Sequence, residues 1–253
     1  MLKLAISGCN GRMGRVITEI AAKREDMKVV AGFDMNTVRL ADYPVYSDPL
    51  EFPGGCDVIV DFSNVSATGH LLEYCRRTRT PVVICTTGHS EEQLALIRET
   101  AKEIPVFRSG NMSLGINLMM EVLKKCASVL GADFDVEIIE KHHNQKLDAP
   151  SGTALMLADA VNEALPYDAE YVYDRHERRE KRPAHEIGIH TIRGGTIVGE
   201  HSVIFSGRDE IIEIKHNANS REVFAAGAVN AAAFLARQTG PGLYNMSDVI
   251  AAK

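Results

Sequence analysis

Cysteine is scarce in this chain, and its placement argues against both of its common structural uses. Five of the 253 residues are cysteine, and they are scattered, odd in number and without a CxxC pair. Disulfide frameworks and zinc sites need paired or closely spaced cysteines, whereas reduced thiols need neither. We therefore expect a cytoplasmic protein with no metal site.

Long apolar runs and an excess of positive charge are also lacking. No apolar stretch approaches the roughly 20 residues that span a bilayer, and Ser7 ends the first apolar stretch too early for a signal peptide. The net charge is −6, and glutamates interrupt the most basic cluster, residues 175–182. That cluster is more typical of a solvated loop than of a nucleic-acid surface. We expect neither a membrane nor a nucleic acid among the partners.

The first half of the chain alternates short apolar strands with amphipathic helices. Apolar runs at 4–6, 29–33, 58–60, 82–84 and 106–107 predict buried strands. Helical periodicity follows the first run and recurs over about 67–77 and 91–103. This alternation favours a parallel sheet covered on both faces, as in a Rossmann-type α/β domain.

The pattern changes after about residue 113. Helices are predicted over 117–129 and 151–165, and strands over 136–139, 187–192, 197–205 and 211–215. Short turns separate the last three strands, which favours a smaller α+β domain with an open, mostly antiparallel sheet. An Ala-rich helix then spans about 221–237. We predict a dinucleotide-binding domain from residues 1–113 and 221–253, and a substrate-binding and oligomerisation domain from residues 114–220.

The glycine pattern between the first strand and the first helix predicts a phosphate site. The run Gly8-Cys9-Asn10-Gly11-Arg12-Met13-Gly14 lets the backbone turn tightly at a helix N-terminus, where N–H groups favour a pyrophosphate. Asp34 follows the second strand, where a carboxylate can hold ribose hydroxyls. The spacing G-x-x-G-x-x-G is weak evidence alone, and a tight turn without a ligand is the alternative.

Two later segments also follow apolar strands. They are Cys85-Thr86-Thr87-Gly88 and Ser109-Gly110-Asn111-Met112-Ser113. Ligands of open parallel sheets bind at the carboxyl ends of the strands, so both segments are candidate cofactor contacts. Their polar residues are equally typical of plain surface turns, and the pattern alone does not choose between the two interpretations.

The densest run of reactive side chains lies between a predicted strand and the helix after it. It includes His142, His143, Lys146 and Ser151-Gly152-Thr153. Histidine titrates near neutral pH and lysine carries a fixed charge, so the run can supply a proton and stabilise negative charge. Ser151 is suited to cap the helix, whose first N–H groups, with the Thr153 hydroxyl, can hold a carboxylate. A metal site lacks a third ligand at suitable spacing, while a plain surface loop stays open as an alternative.

These motifs closely resemble the dihydrodipicolinate reductase family of bacterial lysine and diaminopimelate synthesis. The resemblance covers essentially the whole chain and is most specific from His142 to Thr153. Further matching segments are Thr86-Thr87-Gly88, Asn111-Met112-Ser113, Phe224-Ala225-Ala226-Gly227-Ala228 and Gly242-Leu243-Tyr244-Asn245-Met246.

The resemblance implies reduction of 4-hydroxy-tetrahydrodipicolinate to tetrahydrodipicolinate with NADH or NADPH. It assigns His142 as the catalytic acid–base residue, Lys146 as a catalytic proton donor and electrostatic partner, and His143, Ser151, Gly152 and Thr153 as contacts of the dicarboxylate substrate. The implied cofactor contacts are Gly8, Cys9, Asn10, Gly11, Arg12, Met13, Asp34, Cys85, Thr86, Thr87, Ser109, Gly110, Asn111 and Met112. Members of the family are usually homotetramers that associate through the sheets of their second domains.

Three departures from the family pattern bear on these expectations. Cys85 replaces a common glycine, Asn144-Gln145 replace a common Arg-His pair, and Met35 stands where some members have arginine. The last departure leaves the choice between NADH and NADPH open. The alternative function is a Rossmann amino-acid dehydrogenase for another imine or carbonyl acid. A nucleotide sensor without activity is a third interpretation, against which the presence of His142 and Lys146 argues.

Overall fold

The computed structural model describes residues 1–252, which form two compact units. One unit comprises Met1–Leu114 and the segment from Glu222 onward, and the other comprises Gly115–Arg221. These divisions lie one residue from the domain boundaries that the sequence predicts. No helix within residues 1–252 combines the length and the apolar character that crossing a membrane requires.

The first unit contains a sheet of seven parallel strands. The strands are β1 (Leu2–Ser7), β2 (Met27–Phe33), β3 (Val45–Tyr46), β4 (Val58–Asp61), β5 (Val82–Ile84), β6 (Pro105–Arg108) and β12 (Gly242–Tyr244). Their order is β12-β6-β5-β4-β1-β2-β3, and every neighbouring pair is parallel. The predicted Rossmann-type sheet is confirmed. The sequence pattern did not predict β3 and β12 because two or three residues show no periodicity.

Helices cover both faces of this sheet. They are α1 (Arg12–Ala22), α2 (Thr68–Thr78), α3 (Glu91–Ala101), α6 (Glu222–Leu235) and α7 (Met246–Ala251). Successive residues of β1 point to opposite faces, so Ile6 packs in one core cluster with Ile17 of α1, and Ala5 packs in another with Leu72 of α2. Burial on both faces accounts for the uninterrupted apolar runs of the strands.

The second unit contains five strands and two long helices. The strands are β7 (Asp135–His142), β8 (Glu170–Val172), β9 (Glu186–Arg193), β10 (Gly199–Ser206) and β11 (Ile211–Ala218), and the helices are α4 (Leu114–Leu130), which begins in the first unit, and α5 (Gly152–Ala164). The strand order is β11-β10-β7-β9-β8.

The pairing in this second sheet corrects the prediction of a mostly antiparallel sheet. β10 pairs antiparallel with β11 and β7, but β9 pairs parallel with β7 and β8, so the sheet is mixed. β9 and β10 are not the expected hairpin neighbours, because β7 lies between them. The connection from β7 to β9 contains α5, and a helical crossover of this length allows parallel pairing. Short turns in the sequence show that strands reverse direction but not which strand becomes the neighbour.

β7 carries the second unit's candidate site at its carboxyl end. Alternate residues Val136, Ile138, Glu140 and His142 are buried. Val136 and Ile138 pack in a core cluster that includes Leu157 of α5. Because strand residues two apart lie on the same face, Glu140 and His142 continue this buried row as polar groups.

Candidate active site

The glycine loop of the first unit has a backbone that only glycine permits at two positions. Gly8 has φ +78°, and a Cβ there would lie 2.6 Å from the Phe62 carbonyl oxygen. A Cβ on Gly14 would lie 2.2 Å from the Gly8 oxygen. The loop leads into α1, whose N-cap Gly11 makes no side-chain hydrogen bond and whose first turn has no acidic residue. The start of α1 therefore keeps its N–H groups and positive dipole end available to an anion.

Asp34 lies at the end of β2 and is bound to this loop. Its carboxylate accepts hydrogen bonds from the backbone N–H groups of Asn10 and Asn36, each at 3.0 Å. The Asn10 side chain donates to the carbonyl oxygens of Asn36 at 2.6 Å and Val38 at 2.8 Å. These bonds hold the Asp34 carboxylate in one orientation beside the loop.

Two cavities follow the carboxyl edge of the parallel sheet. The first, of about 510 Å³, includes Gly8, Gly11 and Asp34 in its lining. The second, of about 470 Å³, includes Arg12, Met13, Cys85, Thr86 and Thr87. Both are lined by Phe62, Ser63 and Asn64, so they adjoin. A glycine loop that allows close backbone approach, an uncapped helix start and two adjoining cavities fit a dinucleotide.

The end of β4 and the residues after it form a part of this edge that the sequence pattern did not predict. Asp61 is buried and accepts hydrogen bonds from the Thr86 hydroxyl at 2.7 Å and the Ser63 hydroxyl at 2.5 Å. The sequence signal for this part of the edge was the polar residues at the end of a buried parallel strand, because all such strands end at the same edge of the sheet. Asp61 thus connects the two loops that line the second cavity.

Six of the predicted cofactor residues line neither cavity. Cys9 is buried in the core under the loop, and burial, with the nearby Asp34 charge, raises the pKa of its thiol to about 11. Asn10 supports the loop as described. The other four are Ser109, Gly110, Asn111 and Met112, which directly follow β6. The Ser109 hydroxyl donates to the Asn111 carbonyl oxygen at 2.9 Å, and Met112 is buried in the core. Their cofactor contacts remain predictions.

In the second unit, His142 belongs to a buried polar cluster. Its Nδ1 lies 2.6 Å from Glu140, whose side chain is 0% exposed. Arg193 of β9 approaches both oxygens of the same carboxylate at 2.8 Å, and the Ser151 N–H donates to it at 3.0 Å. Burial raises the pKa of the Glu140 carboxyl, but the hydrogen bonds from His142 and Arg193 outweigh burial and lower the pKa to about 2.

A second histidine, His201 of β10, packs against the first. The ring centroids of His142 and His201 are 5.2 Å apart with an interplanar angle of 74°. His201 Nε2 lies 3.1 Å from the Ser151 hydroxyl. Burial, with the nearby His142, lowers the pKa of His201 to about 4, so His201 is neutral at physiological pH. Glu140, Arg193 and His201 were not predicted as site residues. Arg193 and His201 lie far from His142 in the sequence, so no local pattern connects them with it.

Lys146 lies in the loop between β7 and α5. Its ammonium group forms a 2.7 Å ion pair with Asp148, and the lysine side chain is 21% exposed. That hydrogen bond is the main cause of the lowered pKa of the Asp148 carboxyl. His143 is half-buried and directly follows β7. Within residues 1–252, no three histidine, cysteine or acidic side chains group as metal ligands.

The start of α5 has the predicted capping geometry. The Ser151 hydroxyl accepts a hydrogen bond from the Ala154 N–H at 3.1 Å. Gly152 and Thr153 form the first turn, with Gly152 exposed and Thr153 half-buried. The second unit therefore brings together a histidine, a lysine and a helix N-terminus within one strand–loop–helix segment. These are the groups that donate a proton and bind an anion.

The two units together define the class of protein. A parallel sheet with a glycine loop, a carboxylate after its second strand and adjoining cavities is typical of a dinucleotide-binding unit. A separate unit that contains histidine, lysine and a helix N-terminus in one segment is consistent with the class of dinucleotide-dependent oxidoreductases.

Comparison with known proteins identifies the family. The family description "Dihydrodipicolinate reductase, N-terminus" matches residues 2–112, and "Dihydrodipicolinate reductase, C-terminus" matches residues 115–250. The chain belongs to the dihydrodipicolinate reductase family, which confirms the family, the oxidoreductase class and the NAD(P) cofactor that the sequence predicts.

Individual relatives match over nearly their full lengths. The 4-hydroxy-tetrahydrodipicolinate reductase of Caldanaerobacter subterraneus subsp. tengcongensis is 54% identical and covers 99% of this chain and 98% of its own. The enzyme of the same name from Clostridium tetani is 50% identical and covers 99% and 97%. A dipicolinate-bound dihydrodipicolinate reductase from Paenisporosarcina sp. TG-14 has a TM-score of 0.78, 27% identity and 97% coverage of both chains.

Proposed function

We propose that this chain reduces 4-hydroxy-tetrahydrodipicolinate to tetrahydrodipicolinate with NADH or NADPH. The observation that carries the proposal is the joint placement of His142, Lys146 and the α5 N-terminus in one segment of a chain that the family descriptions match over residues 2–112 and 115–250. The first unit binds the cofactor, and the second binds the dicarboxylate substrate. The cofactor supplies the hydride when bound, and the protein orients and polarises the reactants.

The chemistry assigns different tasks to the residues of the second unit. Loss of the 4-hydroxyl group as water makes the ring conjugated. Hydride addition to this ring places negative charge on it, and a carbon atom must then be protonated. Lys146 stabilises the developing charge, and His142 exchanges the proton. His143, Gly152 and Thr153 hold the substrate carboxylates, with the N–H groups of α5 as fixed donors. The buried Ser151 supports them by capping α5, since its own N–H donates to Glu140. A substrate carboxylate would compete with Asp148 for Lys146.

A direct assay tests the proposed reaction. The unstable substrate is formed in situ from pyruvate and aspartate semialdehyde, and NADH or NADPH oxidation is followed by absorbance. Oxidation that depends on both precursors supports the proposal. Failure to oxidise either cofactor with this substrate, while other imine or carbonyl acids are reduced, would instead favour the Rossmann amino-acid dehydrogenase.

Both cofactors should serve, with NADH modestly favoured. The Asp34 carboxylate can accept from a ribose 2′-hydroxyl but repels a 2′-phosphate. Arg12 lines the adjoining cavity, where its positive charge can partly offset this repulsion, so NADPH should still be used. Asp34→Ala should shift the kcat/KM ratio toward NADPH, whereas Asp42→Ala, at a fully exposed carboxylate, should not. A parent preference for NADPH of about tenfold or more would contradict this assignment of Asp34.

Pyridine-2,6-dicarboxylate should inhibit competitively with the substrate, because it presents two carboxylates to the α5 N-terminus. Thr153→Val should weaken this inhibition by about 1.5–3 kcal/mol, the scale of one hydrogen bond to a charged group. The inhibition constant of a variant that melts like the parent is the measurement. An unchanged constant would place the carboxylate site elsewhere.

We also infer that the protein is a homotetramer in the cytoplasm. The five cysteines form no disulfide, and Ile192 and Ile211 of the second sheet are exposed by 46% and 71%. Exposed apolar side chains on a sheet favour association with another copy. Sedimentation should give four times the 27.7 kDa chain mass. A monomer mass at micromolar concentration would rule this assembly out.

A further inference from the structure

Glu140 is a carboxylate in a position where the strand pattern places core residues. It is fully buried, and its two oxygens have different sets of donors. One oxygen, Oε1, accepts from the Ser151 N–H at 3.0 Å, the Thr191 hydroxyl at 3.1 Å and Arg193 at 2.8 Å. The other, Oε2, accepts from Arg193 at 2.8 Å and lies 2.6 Å from His142 Nδ1. Ser151, Thr191 and Arg193 all donate to this carboxylate.

This arrangement determines which imidazole nitrogen carries the hydrogen. An ionised carboxylate only accepts hydrogen bonds, so His142 Nδ1 must donate. In the neutral ring, the other nitrogen, Nε2, is then unprotonated and can accept a proton. The side chain of His142 is 11% exposed, whereas that of Glu140 is fully buried.

The surroundings of Nε2 also favour this nitrogen as the atom that exchanges the proton. A Cβ on Gly199 of β10 would lie only 3.1 Å from His142 Nε2. The strand therefore leaves space beside this nitrogen that any other residue would reduce. The other titratable or charged groups around the ring are His201 and Arg193, with Lys146 on the adjoining loop.

We propose that Glu140 is a positioning residue that holds His142 in the Nδ1–H tautomer and thereby presents Nε2 as the atom that exchanges the proton. The inference rests on the proposed function, because it assigns a partner to the histidine of that reaction. Arg193 keeps Glu140 ionised and oriented through its two-point contact. The role is analogous to that of the carboxylate that orients histidine in other acid–base sites.

Glu140→Gln tests the tautomer. The glutamine amide has an oxygen that accepts and an NH2 group that donates. An NH2 group in the place of Oε1 would face three donors, whereas in the place of Oε2 it would face only Arg193 and His142. Of these two, only His142 can adapt, by moving its hydrogen from Nδ1 to Nε2. We expect neutral His142 to change to the Nε2–H tautomer and kcat to fall at least about tenfold. The dissociation constant for NADH should stay within about twofold.

The readout is imidazole ¹⁵N chemical shifts of the unligated, full-length protein. The chain contains nine histidines, and the His142→Asn spectrum assigns the resonances. Glu200→Gln is the matched control, since Glu200 lies on β10 between Gly199 and His201, faces the opposite side of the sheet and pairs with Lys141 at 3.3 Å. It should change neither the His142 tautomer nor kcat. Glu140→Asp keeps the charge, so it should retain the Nδ1–H tautomer and recover part of kcat.

The outcomes separate this inference from a purely structural ion pair. If Glu140 only stabilises the fold, Glu140→Gln lowers the melting temperature, leaves the tautomer unchanged and keeps kcat per folded molecule; that result overturns the inference. Nε2–H in the neutral parent also overturns it. Should Glu140→Gln fail to fold, Gly199→Ala provides the second test, because crowding Nε2 should lower kcat at unchanged NADH affinity. A His142→Ala variant with parental kcat would overturn the proposed function instead, while the tautomer result would stand by itself.

Discussion

Replacing His142 or Lys146 by alanine is expected to lower kcat about a hundredfold or more. This is the usual range for the loss of a general acid–base or electrostatic group. Lys146 stabilises charge that develops in the transition state, so its removal should lower kcat more than it raises KM. NADH affinity should barely change, because the cofactor cavities lie in the first unit. Steady-state kinetics and NADH titration of the same preparations measure both effects.

The double variant gives a further check on the same pair. Because both residues act on one event, the combined loss should be smaller than the product of the two single losses. Lys141→Ala is a suitable control, since Lys141 is in the same segment but pairs with Glu200. Kcat values within a fewfold of the parent for both single variants would identify the segment as a plain polar loop. Thermal melts must show that the variants are folded.

Acidification from pH 6.5 to pH 4 is expected to destabilise the protein by about 3 kcal/mol through His201 alone. The pKa of His201 is about 4 in the folded chain, against an ordinary value of 6.5. Over this range the unfolded chain binds a proton that the folded chain does not, so stability falls as the pH falls. The cause is burial of a neutral imidazole beside His142.

Glu140 extends the loss to lower pH. Its pKa of about 2 is below the ordinary 4.5, so its contribution is present above pH 4.5 and is lost as the pH falls toward 2. Urea unfolding at pH 7, 5.5 and 4.5 measures the His201 part. His201→Gln should flatten the dependence between pH 6.5 and 4, whereas His176→Gln, at an exposed site, should not. Equal pH dependence in the parent and His201→Gln would contradict the buried neutral state of His201.

Much of the fold followed from local patterns. Uninterrupted apolar strands alternating with amphipathic helices predicted the parallel sheet, because both faces of its strands are buried. The glycine loop was predictable because Gly8 and Gly14 occupy positions that exclude a Cβ. The capped start of α5 was predictable because Ser151 bonds within its own helical turn. His142 and Lys146 were likewise identified as candidates within one short segment.

The partners of those residues were decided by tertiary structure. Strand pairing in the second sheet places β7 between β9 and β10, and it thereby brings Arg193 and His201 to His142. No periodicity encodes which strands become neighbours, since that choice depends on how α5 crosses and packs. Glu140 was visible in the sequence as a carboxylate two residues before His142, on the same strand face. Only the buried donors around it show that it stays ionised, because burial alone would have favoured the neutral acid.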